Sequence, residues 1–174
     1  EINPRERSFR NEYIGQFWAS YNAAPKSLDI HFRGKRDATD DNATWIRAQT
    51  PRHGVRATHF GKEDGRDFKR DADFPLTHVF NESPYRYTED WYYGVSHQMA
   101  WVMMFRPRDE IRFAQSPSGG GDGNPAWDFQ AFVSPYHVDK VYRLVLRAMY
   151  VPYESAEQLE QLSRSHRTAL AGEE

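Results

Sequence analysis

Seven histidines and Asp128, set between Trp127 and Phe129, are the groups of this chain best suited to proton chemistry. An imidazole titrates near neutrality, so it can serve as acid, as base or as a hydrogen-bonding partner of a substrate. His31, His53, His59, His78, His97 and His137 lie on or beside extended segments, whereas His166 lies in the C-terminal tail. His59, His78 and His97 recur every nineteen residues, a spacing that suits neighbouring strands. One of His53, His59 and His78 is expected to form the catalytic pair with Asp128. Imidazoles that converge on one sheet face can also hold a transition metal, which gives a cupin-like alternative. No metal ligand is assigned on this spacing, and the cofactor is left open.

Asp128 belongs to a second informative stretch, Ser116-Pro-Ser-Gly-Gly-Gly-Asp-Gly-Asn-Pro-Ala-Trp-Asp-Phe-Gln130. It lacks the lysine that closes a phosphate-binding loop. Asn124 stands where a dinucleotide fingerprint needs its third glycine, and Val133 stands where a calcium-binding EF-hand needs its glutamate. What remains is a bridge between two alternating segments, Glu110–Gln115 and Ala126–Val133. Tryptophan beside carboxylate and amide groups suits a sugar. The indole covers the C–H face of a pyranose while the polar groups take its hydroxyls. Arg112, Gln115, Asn124, Trp127 and Gln130 are therefore expected to bind substrate, together with Trp91 and Tyr93 of the most aromatic segment. Alternation puts Phe129 in the core and Asp128 with Gln130 on the other face. Arg112 either neutralises Asp128 or meets a substrate carboxylate. Glu110 and Glu89 are further carboxylates on which glycoside hydrolysis can draw.

The elements that must position these residues read as strands. Aromatic residues make up 15% of the 174 residues, a bias that favours strands over helices. Residues 1–27 show no clean period. Ser27–Arg33, Ala43–Gln49, Val55–Phe60, Leu76–Asn81, Trp91–Phe105 and Val141–Val151 read as extended, with Trp91–Phe105 as one long strand or two joined near Gly94. Residues 61–75 form a charged loop of the kind that makes a lid or a site wall. Only the tail changes period: Ser155 with Glu157 predicts a capped helix over 155–171. The expected fold is mainly β, an antiparallel β-sandwich of jelly-roll or supersandwich type with a C-terminal α-helix. Residues 1–174 are expected to form one domain, complete or part of a larger sandwich.

Composition narrows the function. The net charge of −2 argues against a nucleic-acid partner. The absence of cysteine removes disulfides and thiolate chemistry and is compatible with the cytoplasm. No apolar run approaches the ~20 residues of a membrane helix. A homo-oligomer is compatible with all of this. The segments Phe17–Pro25, Phe113–Gly121 and Asn124–Gln130 resemble poorly characterised bacterial proteins associated with sugar degradation, β-sandwiches of the galactose-mutarotase-like or concanavalin-like kind. The resemblance implies a saccharide ligand and, for an enzyme, a hydrolase, lyase or epimerase. The alternative is a non-catalytic sandwich that grips a glycan or a partner subunit.

Overall fold

The structure, a computed structural model, describes residues 15–22, 29–37, 39–49, 58–66, 82–117, 125–133, 137 and 139–173. Ten strands follow one another: β1 (Gly15–Asn22), β2 (Asp29–Lys35), β3 (Thr44–Gln49), β4 (Thr58–Gly61), β5 (Glu82–Tyr87), β6 (Trp91–Ser96), β7 (Met99–Phe105), β8 (Arg112–Pro117), β9 (Pro125–Val133) and β10 (Leu146–Pro152). A single helical turn at Pro107–Asp109 joins β7 to β8, and α1 (Ala156–Ala171) follows β10. The strands form one curled sheet, a half-barrel, in the order β1-β9-β8-β4-β5-β2-β6-β7-β10, with β3 added to β2. The chain is thus mainly β with a C-terminal helix, as composition and period imply. The sheet is mixed, because β4 pairs in parallel with β5.

The inner face carries Ile30, Phe32, Ile46, Tyr87, Tyr92, Met103, Phe105, Phe113 and Phe129 in one buried cluster. On the outer face, Trp91, Tyr93, Ala100, Val102 and Met104 pack with Leu159 and Leu170 of α1. Strands β6 and β7 are therefore covered on both sides. That is why they form the most apolar stretch of the sequence rather than a clean alternation. Helix α1 starts at Ser155, whose side chain accepts a hydrogen bond from the Gln158 N–H at 3.2 Å, the capping role its position implies.

The break between β6 and β7 falls at His97-Gln98 rather than near Gly94. Both turn residues have positive φ, 50° and 61°, which a two-residue hairpin loop demands to match strand twist. Gln98 is not a residue that favours this conformation. Gln98→Gly is accordingly expected to raise stability by about 1 kcal/mol, read from the urea midpoint at unchanged m. An unchanged or lower midpoint would mean that the turn is not strained.

Strand β1 has no alternation to announce it. Its place comes from pairing with β9, from Gly15↔Val133 to Asn22↔Ala126. Strand β2 is the hinge of the sheet. At one end Gly34 pairs with Tyr87, and nearer its start His31 pairs with Tyr93. A Cβ at Gly34 would lie 2.5 Å from the Arg86 carbonyl oxygen, so only glycine lets the two backbones approach there. Between these two pairings the chain bulges outward at Thr88-Glu89-Asp90. Thr88 donates its N–H to the Arg33 carbonyl at 2.9 Å, and Phe105 donates its N–H to the Asp90 carbonyl at 2.8 Å.

Candidate functional site

The bulge is fixed from the helix side. Arg167 of α1 bonds the Glu89 carboxylate at 2.8 Å and lies over the Trp91 ring at 4.9 Å, and the Trp91 indole N–H donates to the same carboxylate at 2.8 Å. Glu89 is thus spent on anchoring. The next residue, Asp90, is left on a cleft of about 360 Å³ that opens where β4, the bulge and the 107–109 turn meet. Gly61, Lys62, Glu63, Asp64, Tyr87, Thr88, Asp90, Pro107 and Glu110 line it.

Three of the four acidic residues of this cleft, Asp90, Asp64 and Glu110, differ in their surroundings. Burial pushes the Asp90 carboxyl up to about 6, and the charge of Glu89 adds to the effect. Burial also works to raise Asp64, but hydrogen bonds and charges from Arg66 and Arg112 outweigh it and hold that carboxyl well below the usual range. Arg112 donates to Asp64 at 2.8 Å through Nε, and Arg66 donates to it at 2.9 Å and 2.8 Å through Nε and Nη2. Glu110 sits in the left-handed region, with φ 46° and ψ 49°. Its N–H bonds the Pro107 carbonyl at 3.1 Å, its carbonyl accepts from Arg66 at 2.5 Å, and its carboxylate meets Arg66 at 3.3 Å. A non-glycine residue held there costs of order 1 kcal/mol, and strain of this kind gathers at sites that need a fixed geometry.

Tyr87 joins the cleft to the core. Its ring stacks on Phe113 at 4.0 Å, and its hydroxyl donates to the Ile111 carbonyl. Burial, and then the charges of Asp90 and Asp64, raise its pKa, so the phenol stays a neutral donor. A Cβ on Gly61 would stand 3.1 Å from the Tyr87 hydroxyl, which keeps that wall small.

The chain matches no known protein family, no curated protein and no solved structure. Its site is therefore read from its own geometry.

The residues singled out in the sequence do not assemble into one group among the described residues. His59 is 1% exposed and packs between Phe32, at 4.9 Å between ring centres, and Tyr85, at 6.2 Å. It is a core side chain. His53, His78 and Asn124 lie outside the described residues. For Gln115, Trp127 and Asp128 the description is confined to the backbone: Gln115 pairs with Trp127, and Asp128 pairs with Ala114 on one side and Ser20 on the other. Trp91 and Tyr93 are buried beneath α1 and present no ring face to a ligand. Phe129 is buried in the inner core, as alternation requires.

The Asp128 side chain lies outside the described residues, so the pairing of Arg112 with it rests on the sequence alone. The register partner of Arg112 is Gln130, and a carboxylate partner is Asp64, 48 residues away in sequence. The guanidinium is 1% exposed and lies over the Phe60 ring at 3.7 Å. Gln130 is equally buried, and neither polar atom of its amide has a hydrogen-bond partner among the described residues. Among the described residues no three His, Asp or Glu side chains are grouped so as to hold a metal. None of the described helices is long and apolar enough to cross a membrane.

The sequence reading missed Asp64 and Asp90, although it marked the charged loop of residues 61–75 as a potential site wall. Residues 61–64 of that loop do line the cleft. Glu110, weighed there as a second carboxylate, lines it too, whereas Glu89 does not. Nothing in the Thr88-Glu89-Asp90 triplet distinguishes the anchoring carboxylate from the cleft carboxyl, because the first depends on Arg167 of α1 and the second on β4 and the 107–109 turn.

Proposed function

We propose that this chain is a carbohydrate-active protein that takes a saccharide in the Asp90 cleft and protonates it there. One observation carries the reading: Asp90 and Asp64 lie on one cleft with carboxyl groups pushed in opposite directions, the pattern that separates an acid from an ionised partner. Asp90 is the proton donor. Glu110, held by Arg66, is the second carboxylate, and Asp64 keeps Arg66 in place to hold it. Of hydrolysis, lyase chemistry and epimerisation, two carboxyl groups with unlike roles serve hydrolysis best. Thr88 and Lys62 supply further polar groups for sugar hydroxyls. The likeness of Phe113–Gly121 and Asn124–Gln130 to sugar-degradation proteins supports the substrate class. The jelly-roll or supersandwich form belongs to the same proposal, supported by β2–β3 and β8–β9 sharing one inner core.

The test is turnover of an oligosaccharide panel, followed by reducing-end release between about pH 4 and pH 8. Cleavage that declines above about pH 6 is expected, because Asp90 loses its proton there. Binding without turnover at any pH would instead mark a non-catalytic glycan-binding protein. Absence of both would end the carbohydrate reading.

A further inference from the structure

We infer that the saccharide is acidic, and that its anionic group is held by Arg108 and Arg143 in a second cleft beyond Glu110. This rests on the saccharide reading of the Asp90 cleft. The second cleft has a volume of about 220 Å³, and Glu110 lines both clefts, so one ligand can reach across it. Its apolar floor includes Phe132 and Leu144, and its rim carries Arg66, Arg108 and Arg143.

The positive charge there is in excess. Arg66 is shared between Asp64 and Glu110. Asp109, also on the rim, is consumed by Arg106 at 2.7 Å and by the Val145 N–H at 3.1 Å. Arg108 and Arg143 have no ion-pair partner among the described residues. Both are exposed, yet one buried side chain positions both of their backbones. Arg106 clamps the turn that carries Arg108 through Asp109, and it donates to the Arg143 carbonyl at 2.7 Å. Two guanidinium forks on a fixed frame suit a planar carboxylate or a sulfate ester, to which they bond in pairs. The acidic cleft then takes the hydroxyls of the reacting residue, while the basic cleft takes the charge of its neighbour.

Calorimetry with oligogalacturonate, a sulfated galactan oligomer and a neutral galactan oligomer of equal length tests this. The wild type is expected to bind at least one anionic series about tenfold or more tightly than the neutral one. That preference should shrink as salt is raised, because the guanidiniums are exposed. In the Arg108→Ala/Arg143→Ala protein the preference should vanish while neutral binding is kept; both positions are at the surface, so the fold should tolerate the change. Equal wild-type affinity for charged and neutral sugars, or a preference that survives the double substitution, overturns the inference and leaves the saccharide reading intact. Failure of every series to bind overturns both. Whichever of carboxylate and sulfate is preferred identifies the anion.

Discussion

Asp64→Ala is expected to destabilise the protein by about 3–5 kcal/mol, because it takes a carboxylate partner away from a buried guanidinium. Arg112 is 1% exposed and bonds the Asp64 carboxylate at 2.8 Å, and Arg66 bonds the same carboxylate, so the variant removes a negative charge that two guanidiniums share. For a domain of this size the loss corresponds to a fall in midpoint temperature of about 10 °C. Replacing both partners, as Asp64→Leu/Arg112→Met, should recover most of the loss, since the Phe60 and Phe132 rings already flank the guanidinium. A single substitution that costs less than about 1 kcal/mol would show that water reaches Arg112. The pH dependence follows from the sign of the shift. The folded carboxyl titrates below its unfolded value of 3.8, so its contribution is present above that pH and is lost as pH falls further. The wild type should therefore keep this contribution at pH 4 and lose it only under stronger acid.

Asp90→Asn is expected to reduce saccharide turnover about 10²- to 10⁴-fold and at the same time to stabilise the fold at neutral pH. The opposing effects have one cause. The folded carboxyl titrates near 6, above its ordinary 3.8, so the fold favours the protonated form. Stability is then undiminished below about pH 4 and falls as pH rises from about 4 to about 6. An asparagine has no proton to lose, so the variant's advantage should appear across that window and disappear at lower pH. Thermal melts of both proteins at pH 4 and pH 7 measure it, and the pH–rate profile measures the rest. A difference between variant and wild type that is the same at both pH values would show Asp90 to be solvated. A variant that keeps full turnover would remove it from the chemistry.

Period-two alternation was enough to locate β2, β3, β8 and β9, and Ser155 marked the start of α1, because these signals are local. The two-residue break at His97-Gln98 was not legible, since a His-Gln pair is not a residue choice that announces positive φ. β1 was not legible either, because its place depends on pairing with β9 rather than on its own pattern. The aromatic pair Trp91 and Tyr93 was correctly put on one side of one strand. Alternation says which residues share a face, however, and not what covers it; α1 buries that face and leaves no platform for a sugar.

By itself, then, the sequence determined a mainly β chain with a terminal helix and without thiol chemistry. Only the tertiary structure decided which carboxyl group is pushed up and which is held down. Asp64 and Arg112 are 48 residues apart, and Glu89 and Arg167 are 78 apart. A pKa answers to charges and burial through space, and neither can be seen along the chain until the sheet has curled and the helix has closed against it.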